Sequence, residues 1–341
     1  MTMNPKTLRI GIVGAGLIGG KRALAIKHTG KGILAAVADV NQKSAEALAA
    51  KYGASAETDW KKLIARKDID VVVVAVPNAF TKKIVIAALR HGKHVLSEKP
   101  FGINAKEAKA MAEAARKSRC VAKAGFNHRF QAAMLKAHEI YKEGGIGKIF
   151  IIRARYGHGG RPGMEKEWRF NKKLSGGGEL LDQGVHLIDL ARWFGGEPTT
   201  VYGLAQTKFW RTKLEDNVFV LMRNNTVTVS FHVSTTNWKN LFSFEIFGDK
   251  GYLRIDGKGG SYGEEVLTWG RRRPGAAPDT KVFKFPGSDE SWEREWKNFT
   301  GAIAGRNKVI GDAMDGLRTN QIVEALYRSS REHKEIKVKL T

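Results

Sequence analysis

The apolar positions of this chain follow two regimes. Up to about residue 126, short apolar runs alternate with segments of helical period. Residues 8–13, 33–38, 71–76, 94–97 and 121–126 predict strands; residues 17–28, 44–52, 82–90 and 105–117 predict helices between them. The run 71–76 is apolar on both faces, as in a strand buried on both sides of a sheet. This alternation predicts a parallel sheet covered by helices. Beyond residue 126 the pattern changes. A helix over 134–143 closes at Gly144-Gly145, and 149–156 alternates as a strand. Strands over 217–222, 226–233, 242–247 and 252–255 follow, separated by turn residues such as Asn224-Asn225 and Gly248-Asp249-Lys250-Gly251. Close spacing of that kind predicts an antiparallel sheet. Two late helices, 292–304 and 313–331, complete the pattern. The fold class is α/β: a doubly wound parallel-sheet domain over 1–126, then an α+β domain over 127–341 with a mostly antiparallel open sheet. The last helix is free to pack back on the first domain.

Composition narrows the setting. A length of 341 residues suits about two domains. One cysteine, Cys120, excludes an intrachain disulfide and a cysteine-based zinc site. No other ligand set has a telling spacing, so no metal is expected. Nothing approaches the ~20 apolar residues that cross a bilayer, and residues 1–9 lack a signal-peptide core. A cytoplasmic protein with no membrane partner is expected. The net charge of +24 raises the prior for a nucleic acid or an anionic ligand. The excess is spread over both halves, and its densest run, Arg271-Arg272-Arg273, adjoins Pro274-Gly275 in an expected loop. Without a helix-turn-helix or an aromatic basic stripe, a generally basic surface and no nucleic-acid partner are expected.

Three segments carry chemistry. The first is G-x-G-x-x-G at Gly14, Gly16 and Gly19, directly after a strand and opening a helix. Gly14 permits the tight turn, Gly16 lets backbone approach a pyrophosphate at the helix N-terminus, and Gly19 lets helix and strand pack closely. Asp39 follows Gly19 by 20 residues at the end of the next strand. Its carboxylate suits the ribose hydroxyls of NAD and repels the 2′-phosphate of NADP. The second is Ser97-Glu98-Lys99-Pro100 past a buried strand, where open α/β sheets place ligands. Lys99 there is either a proton-transfer group or a surface lysine in a turn. The third is Gly176-Gly177-Gly178 leading into a helix that carries Asp182 and His186, four residues apart and on one face. They are a general base with its carboxylate, or a buried pair that only fixes the helix. Asp189, one turn on, is also within reach of His186.

Together the glycine fingerprint, Glu98-Lys99-Pro100, Asn127 with Arg129, and Gly177-Gly178 before Asp182-x-x-x-His186 resemble the glucose–fructose oxidoreductase and inositol dehydrogenase family (Gfo/Idh/MocA) over nearly the whole chain. The resemblance implies an N-terminal Rossmann domain and a C-terminal domain whose open sheet makes oligomer contacts, in a dimer or tetramer. It implies NAD(P)-dependent redox chemistry on a sugar or cyclitol hydroxyl, with NAD preferred here. Lys99, Asp182 and His186 match its catalytic residues. Gly14, Gly16, Leu17, Ile18, Gly19, Asp39, Pro77, Asn78, Glu98 and Lys99 are the expected cofactor contacts. One departure is local: Pro77-Asn78-Ala79-Phe80 runs into Thr81, where the family often has a histidine.

For the substrate, the expected contacts are Asn127, Arg129, Tyr156, His158, Arg161, Trp168, Arg169, Asp182 and His186. The segment Tyr156-Gly157-His158-Gly159-Gly160-Arg161 is either a pocket wall or an irregular surface loop. Arg153, Arg155, Arg161 and Arg169 gather around it, and Arg153 and Arg155 share a strand face. If that face borders the pocket, an anionic sugar is expected, a nucleotide sugar or sugar acid. The alternatives are cyclitol oxidation of the inositol dehydrogenase type and NAD-dependent glycoside hydrolysis by transient oxidation. A redox-sensing or DNA-binding protein ranks last.

Overall fold

The computed structural model describes residues 7–341. It divides into two compact units, one running to Gly125 and including Trp292–Leu317, the other comprising Phe126–Ser291 and Arg318–Thr341.

In the first unit β1 (Arg9–Val13), β2 (Ile33–Ala38), β3 (Ser55–Glu57), β4 (Val71–Val74), β5 (His94–Glu98) and β6 (Ala122–Gly125) form one sheet. Its order is β3-β2-β1-β4-β5-β6 and every pairing is parallel. The order reverses direction between β1 and β4, and such a switch opens a ligand crevice at the strand C-termini. Helices α1 (Leu17–Thr29), α2 (Gln42–Ala50), α3 (Trp60–Ala65), α4 (Asn78–Arg90) and α5 (Ala105–Lys117) connect the strands. β3 and α3, three and six residues long, are too short for periodicity to reveal. α4 starts four residues before the expected Lys82, because Pro77 occupies its N-cap with φ −54° and fixes the entry to the helix.

A 3-10 turn over Asn127–Phe130 opens the second unit, followed by α6 (Ala132–Lys142), β7 (Ile149–Gly157), the short α7 (Lys172–Ser175) and α8 (Val185–Gly195). Strands β8 (Thr200–Gln206), β9 (Asn217–Arg223), β10 (Thr228–Ser234), β11 (Leu241–Gly248), β12 (Gly251–Asp256), β13 (Glu265–Arg271) and β14 (Asp279–Phe285) come next, then α9 (Ser291–Ile303), α10 (Ala313–Glu332) and β15 (Ile336–Lys337). The nine-stranded sheet has the order β14-β13-β12-β11-β7-β10-β9-β8-β15. Only β7 and β10 pair in parallel. β8 escapes the sequence pattern because Gly203 interrupts it. A Cβ there would lie 2.8 Å from the carbonyl oxygen of Leu326, so the glycine admits the backbone of α10. The arginine run straddles the end of β13, where Arg273 meets Asp279.

The sequence reading leaves everything beyond residue 126 in one C-terminal domain, with the last helix as the part that returns. Here Trp292–Leu317 counts with the first unit, and the chain from Arg318 with the second. The cause is apolar burial. Trp296 and Phe299 of α9 sit in the core with Ile10, Ile12, Val37, Val71, Val73 and Leu96. Each such side chain, fully buried, contributes about 1.5–3 kcal/mol. Among the described residues no helix is long and apolar enough to cross a membrane.

Candidate active site

In the first unit, β1 ends in the glycine turn. Gly14 has φ +104°, and its N–H donates to Ala38 O at 2.8 Å. A Cβ there would lie 2.2 Å from Ala75 O, and one on Gly19 would lie 1.9 Å from Gly14 O. Both glycines are therefore demanded by backbone approach. Gly16 differs: it is exposed, and nothing lies within 4 Å of where its Cβ would be. It is the N-cap of α1 and brings no side chain to the first-turn N–H groups. Those donors, at the positive end of the helix, are suited to a pyrophosphate. Leu17 is exposed and Ile18 half-buried beside them. Asp39 follows β2 directly, its two carboxylate oxygens accepting the N–H groups of Ala15 (2.7 Å) and Asn41 (2.8 Å). A carboxylate has about four acceptor sites, so ribose hydroxyls can still be accommodated. Val40 beside it is 91% exposed and offers no cation to a 2′-phosphate. Arg22 of α1 is buried and held by Glu98 and Glu295.

Pro77 and the buried Asn78 stand at the start of α4, past the C-terminus of β4. Glu98 closes β5, and half-buried Lys99 follows it. One Glu98 oxygen accepts from Arg22 Nε at 2.6 Å. Burial pushes the Glu98 carboxyl above its usual range, against the opposing pull of Arg22.

In the second unit, a helical segment with a π-wound turn over Leu180–Gly184 runs directly into α8. Such turns recur at functional sites. Its entry is set by Glu215, whose carboxylate accepts from Gly178 N (3.1 Å), Leu180 N (3.2 Å) and the Tyr327 hydroxyl (2.6 Å). This explains the glycine run. A Cβ on Gly177 would lie 2.3 Å from the Tyr327 hydroxyl, and one on Gly178 2.4 Å from Glu215 O.

Asp182 and His186 lead to different neighbours. Arg169 Nε lies 3.4 Å from the Asp182 carboxylate. His186, 4% exposed, stacks on the ring of His128, with Phe126 and Tyr156 edge-on. Tyr156, at the end of β7, is buried and hydrogen-bonded to Tyr262. Burial raises both phenols, Tyr262 to about 12. Lys258 Nζ lies 4.3 Å from the Tyr262 ring centroid and 5.5 Å from that of Tyr156. His128, Tyr262, Lys258 and Glu215 escape sequence reasoning.

Several expectations change here. Asp189 binds Arg129, with oxygens 2.7 and 2.6 Å from Nε and Nη2, so this carboxylate serves Arg129 as well as any contact to His186. Both are buried. Asn127 donates to Ser291 Oγ at 2.8 Å. Arg153 and Arg155 do share a face, but it is the exposed one; alternation puts Tyr156, and with it His128 and His186, on the other. Arg153 pairs there with Glu245. Arg161 is bound to Glu167 at 2.6 Å, and Arg169 lies over the Trp168 ring. His158 accepts from Gly160 N–H, and burial, opposed by Asp182, pushes its imidazole below the usual histidine value.

Comparison with known proteins identifies the family. Residues 8–126 match the NAD-binding Rossmann domain of the GFO/IDH/MocA oxidoreductase family, and residues 134–254 match a C-terminal domain of that family. The levoglucosan dehydrogenase of Pseudarthrobacter phenanthrenivorans is 32% identical over 59% of this chain and 55% of its own length. The D-glucoside 3-dehydrogenase of Escherichia coli is 29% identical over 97% of both chains. A solved levoglucosan dehydrogenase in complex with NADH and levoglucosan superposes with a TM-score of 0.91 at 26% identity, covering 98% of this chain and all of that one. The chain belongs to the Gfo/Idh/MocA family of NAD-dependent sugar oxidoreductases.

Proposed function

We propose that this protein oxidises a hydroxyl of an uncharged sugar, anhydrosugar or cyclitol with NAD. The observation that carries the uncharged substrate is the state of the arginines around the glycine loop. Arg161 and Arg169 face Glu167 and Asp182, and Arg153 and Arg155 lie on the far side of the sheet. A diphosphate or carboxylate would have to displace those carboxylates. The levoglucosan and D-glucoside dehydrogenases act on sugars of this uncharged kind and support the same reading.

The glycine turn and Asp39 would hold NAD, which would supply the hydride acceptor for the carbon being oxidised. His186 takes the hydroxyl proton, and Asp182 binds a neighbouring hydroxyl or orients the imidazole. Lys99 hydrogen-bonds the developing alkoxide as a cation. Tyr156, Tyr262 and His158 offer hydroxyl and imidazole partners to the remaining sugar hydroxyls. The test is Lys99→Ala and His186→Ala, each expected to lose on the order of 10²–10⁴ in rate while still binding NAD. Near-normal turnover in either variant removes that residue from the reaction.

The same reading includes a homo-oligomer working in the cytoplasm. Phe150, Ile151, Tyr202, Phe219 and Leu221 are exposed on strands of the second sheet, and a second copy of the chain is the occupant proposed for that apolar patch. Light scattering should find a multimer, and Phe219→Asp with Leu221→Asp should dissociate it; a monomeric wild type contradicts this part.

A further inference from the structure

Four charged side chains are buried together in the first unit. Arg22 of α1 is 1% exposed, Glu295 of α9 and Lys123 of β6 are each 0% exposed, and Glu98 at the end of β5 is 12% exposed. Arg22 Nη1 meets Glu295 at 2.5 Å, and Arg22 Nη2 meets Glu98 at 2.5 Å. Lys123 Nζ lies 3.3 Å from the other Glu295 oxygen and donates to Ile310 O. The Trp292 ring lies against the guanidinium, 4.4 Å from centroid to Cζ.

Two cations and two carboxylates balance, but the arrangement is a costly way to fill a core. Well-packed apolar residues stabilise such a site as well or better. What a planar, doubly engaged guanidinium adds is geometry, because its fork fixes two carboxylates at once. The surrounding backbone is shaped to the pair. Gly125 has no positive φ to require it, yet a Cβ there would lie 2.9 Å from Arg22 Nη2 and 3.1 Å from Glu98 Oε2.

We propose that Arg22 is a positioning residue for Lys99: by gripping Glu98 it fixes the turn from which Lys99 projects, and it ties that turn to the helix whose N-terminus receives the dinucleotide. This rests on Lys99 acting in the reaction. It gives Glu98 a role as an anchor, and it explains why an arginine is buried one turn beyond the glycine fingerprint. Lysine cannot replace it, since one ammonium does not span two carboxylates in a fixed fork.

The experiment is a double-mutant cycle on the full chain. Arg22→Lys, Lys99→Ala and the double variant are assayed with a sugar the wild type oxidises, and NAD binding is titrated by calorimetry. Arg22→Lys is expected to lower kcat about tenfold or more while NAD still binds one per chain with affinity within about threefold. In the Lys99→Ala background it is expected to cost nothing further, because both changes remove one function. Independent, multiplying losses, or unchanged kcat per NAD-binding chain with only a lower Tm, would overturn the proposal. Should Arg22→Lys not fold, Gly125→Ala takes its place in the cycle, with the same expectations. Near-normal turnover in Lys99→Ala itself identifies failure of the underlying assignment rather than of the positioning.

Discussion

The imidazoles of His128 and His186 lie face to face, 3.7 Å between centroids and 17° from parallel. Both are 4% exposed. His128 arrives from the 3-10 turn at the start of the second unit, His186 from α8. The stack fixes the plane of the ring assigned to the proton transfer.

Removing that support should misplace the base. His128→Ala is expected to lower kcat about ten- to a hundredfold, the usual cost of a small misplacement, with KM for the sugar little changed. His128→Phe keeps a flat ring beneath His186 and is expected to recover most of the loss. Equal loss in both variants would show that the imidazole of His128 matters for more than stacking.

Glu215 closes the N-terminal end of the helix that carries Asp182 and His186. Glu215→Ala leaves Gly178 N–H, Leu180 N–H and the Tyr327 hydroxyl without this acceptor. Each buried group so stranded costs about 1–3 kcal/mol. Urea unfolding should show a loss of at least that size, and Tyr327→Phe a smaller one. A Glu215→Ala variant as stable as wild type would refute the anchoring role.

Cofactor choice follows from Asp39 and Val40. NAD is expected to be used with at least tenfold higher kcat/KM than NADP. Asp39→Ser should narrow that ratio by about tenfold, or ~1.4 kcal/mol, since it removes a charge that repels the 2′-phosphate. An unchanged ratio would mean that another group reads the ribose.

Stability should fall in mild acid. Burial first, then Lys142 and Arg129, depress His138 to about 4 from an ordinary 6.5, where it stacks on Trp193. The unfolded chain therefore takes up this proton first. The neutral ring's contribution is whole above about pH 6.5 and is lost as pH falls toward 4. Burial lowers His94, His158 and His232 in the same direction. Tm is expected to drop from pH 7 to pH 5, and His138→Gln to flatten that drop. A Tm independent of pH over this interval in the wild type would contradict it.

The parallel sheet was legible because Val71–Val74 and its neighbours are apolar on both faces, and the glycine turn because strand, spacing and helix coincide. β8 was hidden by Gly203, a glycine that only a contact with distant Leu326 explains. The helix carrying Asp182 and His186 could be placed from the sequence, but its π-wound turn and its tether to Glu215 depend on residues far along the chain. Likewise the face presented by Arg153 and Arg155 is set by which side of β7 the helices cover. Alternation says that two residues share a face and cannot say which face meets solvent.

NADH formation by the purified protein across paired sugars, neutral against phosphorylated, oxidised or nucleotide-linked forms, tests most directly whether the substrate is an uncharged sugar. The expected result is NADH formed one-for-one with oxidised neutral sugar or cyclitol, with the Arg153→Ala variant unaffected. Turnover confined to the anionic partners, or glycoside cleavage with no net NADH, would contradict it.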